Sequence, residues 1–509
     1  MRFKPTKSLT IFIFIIFCFV FFYAFRFFVS KNYIGLTTLK PLHKPLNKSS
    51  TKPSLKHLSK LITVIIREFE PNDNDVTLTA QSFVNVFPSI NVLILYDSLP
   101  YPPLDITLTN TSLTNVKLVN LSPNLRSSIY ERYPIFQIKT TYVLFVPDSA
   151  RITSRQSLQL MVNKLAKNQD SIIVAPLKSS KKDLKCLRIN VSAKEWTLRY
   201  SCVKSTTCDA VSGKHLILIK TELLQKLTYA FFLPFPQSFY IQTSVMSQKV
   251  KILDSVSFHD GKPIIKSHHA QWKRKQIDAE RFKKLYVALK IKQVVREFGS
   301  TEWYGCNRDT PRCFGSIVDS MPSYLYEKKW TPPCCLSNLK KTAKYVFNIL
   351  DETGIRYWLE AGSLLGAMRS GDILPWDHDV DIGFNRDDLY RCNWLKKARE
   401  KPVVDNKGFL WEKATEGNFY RVYFSKANRI HVNLFPFFTK NGTMTRDSWF
   451  TSHKNMEFPD NFLHPMSSIE FIGRNVPSPN NIRDFLEIKF GKGSIENPEY
   501  PDPNKIKFP

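Results

Sequence analysis

The chain contains a series of short, strongly apolar runs rich in β-branched residues, and their arrangement restricts the fold more than any other feature. They start at Leu61, Asn91, Thr141 and Ser171. Helix-compatible stretches such as residues 157–167 lie between them. Buried strands that alternate with helices are typical of a mostly parallel sheet, so we predict an α/β domain over residues 61–300.

A second domain is predicted over residues 301–509, with helices and strands in a less regular order. An apolar stripe from Leu339 to Leu350 predicts a helix that Gly354 caps. Strands are predicted at residues 356–360, 379–384, 419–424 and 430–435. The tail is rich in Pro and Asn, and we expect it to wrap the domain as loops.

An apolar run of 21 residues covers positions 9–29; Arg26 is its only charged residue, and Thr10 and Tyr23 are the other exceptions. It is long enough for one membrane-spanning helix. Basic residues in segment 1–8 predict a cytosolic tail and a type II anchor. A cleaved signal peptide is the alternative, although no small-residue cleavage site follows. Residues 30–60 hold seven lysines and no acidic residue, which predicts a flexible basic stem.

The net charge of +29 invites a nucleic-acid-binding interpretation, but a lumenal chain argues against it. No nucleic-acid-binding motif is visible. Glycosylation sequons support a secretory lumen, and the candidate sites are Asn110, Asn120 and Asn190. A second basic block over residues 262–296 predicts an amphipathic helix with a solvated basic face. That helix is either a surface connector or a phosphate-facing surface.

Three aspartates alternate in the segment Trp376-Asp-His-Asp-Val-Asp, at Asp377, Asp379 and Asp381. Alternate side chains of a strand share a face, so the carboxylates would project together. Such crowding is costly unless a cation binds. Oxygen ligands suit Mg²⁺ or Mn²⁺, which usually keep substrate phosphates in their shell. The alternative is a loop of solvated aspartates.

A Gly362-Ser363 pair precedes these acids and opens a helix-compatible stretch. Such a turn can offer backbone N–H groups and a hydroxyl to a phosphate. The order strand, Gly-Ser, helix and Asp-bearing strand is typical of nucleotidyltransferase sites, where positioning and charge neutralisation dominate phosphoryl transfer.

Four cysteines fall within thirty residues, at Cys306, Cys313, Cys334 and Cys335. Four thiolates suit a tetrahedral Zn²⁺ site, whereas an oxidising lumen favours two disulfides. The spacing alone leaves both alternatives open. In the first domain, Cys186 and Cys208 are a candidate disulfide, with Cys202 as the competing partner.

Several motifs of the chain resemble the LicD-type family of phosphoryl-sugar and phosphocholine transferases. They are Glu302-Trp-Tyr-Gly-Cys-Asn, Trp330-Thr-Pro-Pro-Cys-Cys, Tyr357-Trp-Leu-Glu, Gly371-Asp-Ile-Leu-Pro-Trp-Asp and Ile495-Glu-Asn-Pro. The resemblance implies a LicD-type nucleotidyltransferase-like α+β catalytic domain after a glycosyltransferase-like α/β domain without activity. Asp148 agrees with the latter, since it stands alone where an active glycosyltransferase often has Asp-x-Asp.

The resemblance further implies a Golgi membrane enzyme that moves ribitol 5-phosphate from CDP-ribitol to the phosphorylated O-mannosyl glycan of α-dystroglycan, with release of CMP. Partners would be other Golgi glycan-extending enzymes and further copies of this chain, but no nucleic acid. The alternatives are transfer of another CDP-activated group, such as phosphocholine or glycerol phosphate, and a catalytically silent Golgi scaffold.

The resemblance also implies roles for individual residues. It places a structural Zn²⁺ on the four-cysteine cluster. From the three acids themselves we expect Asp379 and Asp381 to bind Mg²⁺, and Asp377 to support the metal or to activate the acceptor hydroxyl. The substrate-binding candidates are Gly362, Ser363, Arg369 and Asn433. Asn433 departs from the family, which has an aspartate there, so one negative charge is missing from the metal site. Ala361 is a smaller departure, because the family often has Gly.

Overall fold

The fold was analysed in a computed structural model. It describes residues 57–104, 114–122, 133–167, 171–179, 184–261, 264, 267–311, 313, 317–318, 321–415, 417–447 and 457–497. The predicted anchor, and almost all of the predicted basic stem, lie outside these ranges. Within them, no helix combines the length and the apolar character needed to cross a bilayer.

An eight-stranded sheet organises the first domain. In spatial order its strands are Val116–Asn120, Asn91–Tyr96, Ile62–Ile66, Tyr142–Val146, His215–Lys220, Ser171–Pro176, Lys249–Ile252 and Thr207–Cys208. The four apolar runs of the sequence all form strands here. The first four strands are parallel, but His215–Lys220 runs antiparallel to both its neighbours. Ser171–Pro176 and Lys249–Ile252 are parallel to each other and run with the first four strands. Six of the eight strands therefore share one direction, so the sheet is mostly parallel, as predicted.

Apolar clusters cover both faces of this sheet. Ile62 and Val64 face one cluster and Ile65 faces the other, as the alternation of a strand requires. The helices of this domain are Leu58–Leu61, Val76–Val86, Pro134–Gln137 (3₁₀), Arg155–Lys167, Thr221–Gln225, Gln237–Val245 and His268–Ala288. The domain is therefore a three-layer α/β structure.

A five-stranded sheet joins the two halves of the chain. Its strands in order are Ala210–Ser212, Lys185–Ser192, Thr197–Val203, Gln293–Val295 and Thr301–Trp303. The last strand lies beyond the boundary predicted at residue 300. Two small ladders, Ala150–Arg151 with His259–Asp260 and Ile317–Val318 with Met321–Pro322, complete this region.

The second domain is built on another sheet. Its main strands in order are Tyr357–Leu359, Asp379–Asn385, His431–Lys440, Tyr420–Tyr423, Leu410–Lys413 and Val403–Val404, and Thr443–Thr445 and Phe458–Pro459 extend it. Its helices are Ser323–Tyr326, Pro333–Glu352, Ala361–Ser370, Arg386–Arg391 (3₁₀), Asn393–Glu400, Asp460–Leu463 (3₁₀) and Ile482–Phe490. We call Asp379–Asn385 the acidic strand, His431–Lys440 the asparagine strand, Ala361–Ser370 the turn helix and Pro333–Glu352 the cysteine helix.

The described part of the tail corrects one prediction. Instead of loops alone, it contains the hairpin Ser467–Phe471 with Arg474–Ser478, followed by the helix Ile482–Phe490. Phe485 and Leu486 of this C-terminal helix are fully buried in the core of the second domain. The sequence did not indicate this helix, because Pro and Asn residues are frequent around the two adjacent apolar residues Phe485 and Leu486.

The basic block forms the helix His268–Ala288, which we call the basic helix. Leu285 and Tyr286 anchor it in the core, which confirms the predicted amphipathic helix. Its basic face is not simply solvated, however. Arg281 donates two hydrogen bonds to the carboxylate of Glu70, at 2.6 and 3.3 Å, and Arg274 lies 2.6 Å from the same carboxylate. The helix is therefore fastened across the end of the first sheet.

Candidate active site

The three predicted acids lie close together at the start of the acidic strand, in the sheet of the second domain. Asp379 and Asp381 lie on one face of the acidic strand, which pairs in parallel with the asparagine strand so that Asp381 stands opposite Asn433. Asp377 precedes the strand, and its side chain is about as exposed as that of Asp379, at 20% for each. The sheet register therefore gathers these groups from two strands.

The amide of Asn433 links two of the acids. Its Nδ2 donates to Asp379 Oδ2 at 3.0 Å and to Asp381 Oδ1 at 2.9 Å. Its Oδ1 accepts from Nε of Arg421 at 3.3 Å. Asn433 is thus in the cluster that the sequence predicted, where it acts as a donor to the carboxylates.

The acids influence one another strongly. Burial and the neighbouring acids Asp379 and Asp381 raise the pKa of Asp377 well above its usual range. Burial and Asp379 raise the pKa of Asp381 to about 8. Burial opposes ionisation of Asp379 too, but His378 and hydrogen bonds to its carboxylate outweigh that effect and lower its pKa. Without a cation, burial and mutual repulsion therefore favour the protonated forms of Asp377 and Asp381.

This donor set fits a divalent cation. A cation that replaced those protons would remove the mutual repulsion of the carboxylates. Carboxylate oxygens are the ligands that Mg²⁺ and Mn²⁺ prefer. Side-chain ligand atoms of Asp377, His378 and Asp379 also lie within 4.8 Å of one another.

The turn helix begins directly beside the acids. A Cβ atom at Gly362 would lie 2.9 Å from Oδ2 of Asp377, so glycine permits the close approach of this carboxylate. Ser363 is 2% exposed, and its hydroxyl oxygen accepts the N–H of Asp381 at 2.8 Å. The Gly-Ser pair therefore holds the acidic strand against the helix N-terminus.

Arg369, a predicted substrate-binding residue, lies in the last turn of the turn helix. Its guanidinium donates to the carbonyls of Ser494, Ile495 and Asn497. Arg369 therefore fastens the turn helix to the C-terminal segment through its Nε and Nη2.

Sequence reasoning missed a buried ion pair behind the acids. Glu360, which ends the preceding strand, is paired with Lys489 of the C-terminal helix and accepts Nε1–H of Trp358 at 2.8 Å. The Lys489 side chain is 1% exposed. Glu360 also raises the pKa of Asp381 through its charge. The sequence signal for Glu360 was its position two residues before Gly362.

All four clustered cysteines are buried and close together. Cys334 and Cys335 occupy the first turn of the cysteine helix, where the structure pairs Cys306 with Cys334 and Cys313 with Cys335 as disulfides. The sulfurs of Cys306, Cys334 and Cys335 lie within 4.8 Å of one another. Four gathered sulfurs fit a tetrahedral Zn²⁺ site by their chemistry.

A second missed residue, Thr331, connects this cluster with the acids. Its hydroxyl donates to the main-chain oxygen of Asp377 at 2.5 Å and contacts the hydroxyl of Tyr324 at 2.7 Å. Thr331 is 1% exposed and lies just before the cysteine helix. Thr331 therefore fixes the segment before the acidic strand relative to the start of the cysteine helix.

The remaining predicted site residues lie in the first domain. Cys186 and Cys208 form a disulfide, while Cys202 is exposed and free. Asn120 and Asn190 are exposed, and Asn110 lies outside the described residues.

Comparison with known proteins identifies the family. Residues 48–297 match the fukutin-related protein stem domain, and residues 354–481 match the LicD/FKTN/FKRP nucleotidyltransferase domain. The chain is 41% identical to ribitol 5-phosphate transferase FKRP of Homo sapiens over 463 residues, which cover 91% of this chain and 92% of that protein. The chain belongs to the fukutin-related protein family. The Mus musculus FKRP shows the same identity and covers 93% of its own length.

Family membership assigns the two halves of the chain. The first is the FKRP stem domain and the second is the LicD nucleotidyltransferase domain, which holds the acids. Among solved structures, a lincosamide adenylyltransferase, LnuA, aligns with 15% identity and a TM-score of 0.22, covering 30% of this chain and 85% of its own. That likeness is too weak to support any argument about this FKRP-family site.

Proposed function

We propose that the chain is a ribitol 5-phosphate transferase that uses CDP-ribitol as donor and releases CMP. The supporting observation is the cluster of three acids beside a helix N-terminus in a LicD domain, in a chain that is 41% identical to human ribitol 5-phosphate transferase FKRP over nearly its whole length. We propose the phosphorylated O-mannosyl glycan of α-dystroglycan as the acceptor.

In this proposal the chain binds and orients both substrates. Asp379 and Asp381 hold a Mg²⁺ or Mn²⁺ ion, which supplies positive charge to the donor diphosphate. Backbone N–H groups at the start of the turn helix hold phosphate oxygens. A cation on Asp379 and Asp381 would remove their repulsion of Asp377 and favour its ionised form. The acceptor hydroxyl oxygen bonds to the ribitol-side phosphorus, the bond from that phosphorus to the CMP oxygen breaks, and the ionised Asp377 takes the hydroxyl proton.

A donor comparison tests the reaction. Purified protein is incubated with a phosphorylated core glycan and with CDP-ribitol, CDP-glycerol or CDP-choline, and the mass gained by the glycan is measured. We expect the mass of one ribitol phosphate from CDP-ribitol. A faster gain from another donor would replace the proposed substrate, and no gain from any donor would favour a scaffold.

Zinc at the cysteine cluster is a separate proposal, with two disulfides as the alternative. The test is alkylation of the denatured protein in a chelator without reductant, together with metal analysis. A zinc site predicts about one Zn²⁺ per chain and four alkylated cysteines beyond Cys202 and the other unpaired ones. Two disulfides predict no zinc and no additional alkylation.

We also propose that residues 9–29 anchor the chain in the Golgi membrane with the catalytic domain in the lumen. The apolar run, its basic N-terminal flank and the exposed sequon residues Asn120 and Asn190 support this location. Loss of mass on glycosidase treatment, with the shift reduced by Asn190→Gln, is the expected result. A protease-accessible catalytic domain in sealed Golgi vesicles would contradict it.

A further inference from the structure

A cavity lies in the stem domain, outside the carboxyl ends of its parallel strands. Its volume is about 620 Å³, and it is lined by residues that directly follow strands Ile62–Ile66, Asn91–Tyr96 and Val116–Asn120. The strand order reverses at Ile62–Ile66, because the chain builds two strands on one side and then returns to Tyr142–Val146 on the other. Open α/β sheets bind ligands in the crevice at such a reversal.

The wall of this cavity has an excess of positive charge. Arg67 is 4% exposed and is held by the carbonyl of Phe231 at 2.7 Å and by the carboxylate of Asp97 at 2.6 Å. The basic helix contributes Arg281, whose charge is offset by Glu70, and Lys284 to the same wall. Asp97 is the only acid among the lining residues that the structure describes, so Lys284 accounts for the excess charge. Burial and the neighbouring Arg281 both lower the pKa of Arg67, which the pair with Asp97 opposes. These groups favour an anion.

The rest of the wall is apolar and aromatic. Rings of Tyr96, Tyr133, Phe231 and Phe232 line it. A cavity of this volume lies within the range of about 300–1,000 Å³ that accommodates nucleotide-sized ligands. Aromatic surfaces beside cations suit a ligand with a flat ring at one end and phosphates at the other.

A metal is not expected in this crevice. The carboxylate of Asp148, the lone acid that follows strand Tyr142–Val146, accepts the N–H of Asp75 at 3.1 Å and the N–H of Ser149 at 2.7 Å. Asp75 precedes the helix Val76–Val86, so Asp148 supports the start of that helix. Its oxygens are engaged within the fold.

We propose that the stem crevice binds a nucleoside diphosphate without a metal ion, with Arg67, Arg281 and Lys284 facing the phosphates and the aromatic rings facing the base. The site is separate from the LicD acids and binds its ligand without chemical change. It gives the stem domain a ligand of its own, independent of the donor used for transfer.

Titration calorimetry of the full chain with UDP, in buffer without divalent metal, tests this proposal. We expect one site with a dissociation constant below about 1 mM. Lys284→Gln removes one exposed cation from the wall and should weaken binding about tenfold. Asp381→Asn should bind UDP as the unchanged chain does, because it alters only the LicD site.

The matched control is Lys283→Gln, since Lys283 is exposed on the same helix but does not line the cavity. It should leave UDP binding unchanged. The proposal is overturned if UDP does not bind, if both lysine variants weaken binding equally, or if pyrophosphate or mannose 6-phosphate binds as tightly as UDP. Equal melting temperatures of the two variants establish that both are folded.

Discussion

At the scale of single residues, Asn433 determines the charge of the acid cluster. Its amide donates to Asp379 and Asp381, so it partly satisfies two carboxylates that would otherwise repel. An aspartate at this position would place a third negative charge beside Asp379 and Asp381. The amide therefore favours the metal-free cluster and weakens its attraction for a cation.

We predict that Asn433→Asp lowers the Mg²⁺ concentration needed for half-maximal transfer by about tenfold, since one more carboxylate faces the ion. Transfer rates measured over a Mg²⁺ titration check this. Asn475→Asp is the matched control, because Asn475 is exposed on the C-terminal hairpin and gains the same charge. An unchanged Mg²⁺ requirement in Asn433→Asp would mean that this side chain does not face the ion.

Ala361 is strained at the first position of the turn helix. Its φ of +46° lies in the left-handed region that glycine adopts more readily. We predict that Ala361→Gly stabilises the protein by about 1 kcal/mol, seen as a higher melting temperature. A lower melting temperature would show that the methyl group contributes packing that outweighs the strain.

At the scale of elements, the order of strands and helices in the catalytic domain could be predicted, but the contacts between distant segments could not. Alternating aspartates and the Gly-Ser pair are local patterns, and they placed the acidic strand and the turn helix correctly. Lys489 follows Glu360 by 129 residues, and no local pattern links them. The hydrogen bonds of Arg369 to the C-terminal segment could not be predicted for the same reason.

The C-terminal helix should be required for a stable site. We predict that Lys489→Met destabilises the protein by about 3–5 kcal/mol, because Glu360 would keep a buried charge without its partner. Chemical denaturation measures the change. The double variant Lys489→Met/Glu360→Gln removes both charges and should recover most of the loss. Equal destabilisation in both variants would show that packing, not charge, is responsible.

Thr331 should position the acidic strand from the side of the cysteine helix. We predict that Thr331→Val lowers kcat about tenfold, because its hydrogen bond to the main chain of Asp377 is lost, with KM for the donor nearly unchanged. Thr342→Val is the matched control. Thr342 is also fully buried, but its hydroxyl donates to Asn338 within the cysteine helix. A similar fall in kcat for both variants would refute a specific role.

At the scale of the whole molecule, a short series of hydrogen bonds connects the stem domain with the active site. Nε1 of Trp196 in the stem donates to the carbonyl of Trp330 at 2.8 Å. The next residue, Thr331, holds the main chain of Asp377. Trp196 is also packed in the core of the catalytic domain. The two domains therefore share a boundary that supports the acids directly.

The net charge of +29 also has a structural meaning at this scale. The sequence located much of the surplus in the N-terminal flank, the stem lysines and the basic block. In the structure, the arginines of the basic helix bind Glu70, and Arg281 and Lys284 line the stem cavity. Sequence reasoning could identify this helix but not the acidic and apolar groups against which it folds.

The central claim is that the acid cluster transfers ribitol phosphate from CDP-ribitol. Its most direct test is the mass of the acceptor glycan after reaction with the unchanged chain, Asp381→Asn and Asp387→Asn, an exposed aspartate beyond the same strand. We predict that the glycan gains ribitol phosphate with the unchanged chain and Asp387→Asn, and that Asp381→Asn is slower by at least about 100-fold. Equal transfer by all three proteins would contradict the assignment of the acid cluster as the active site.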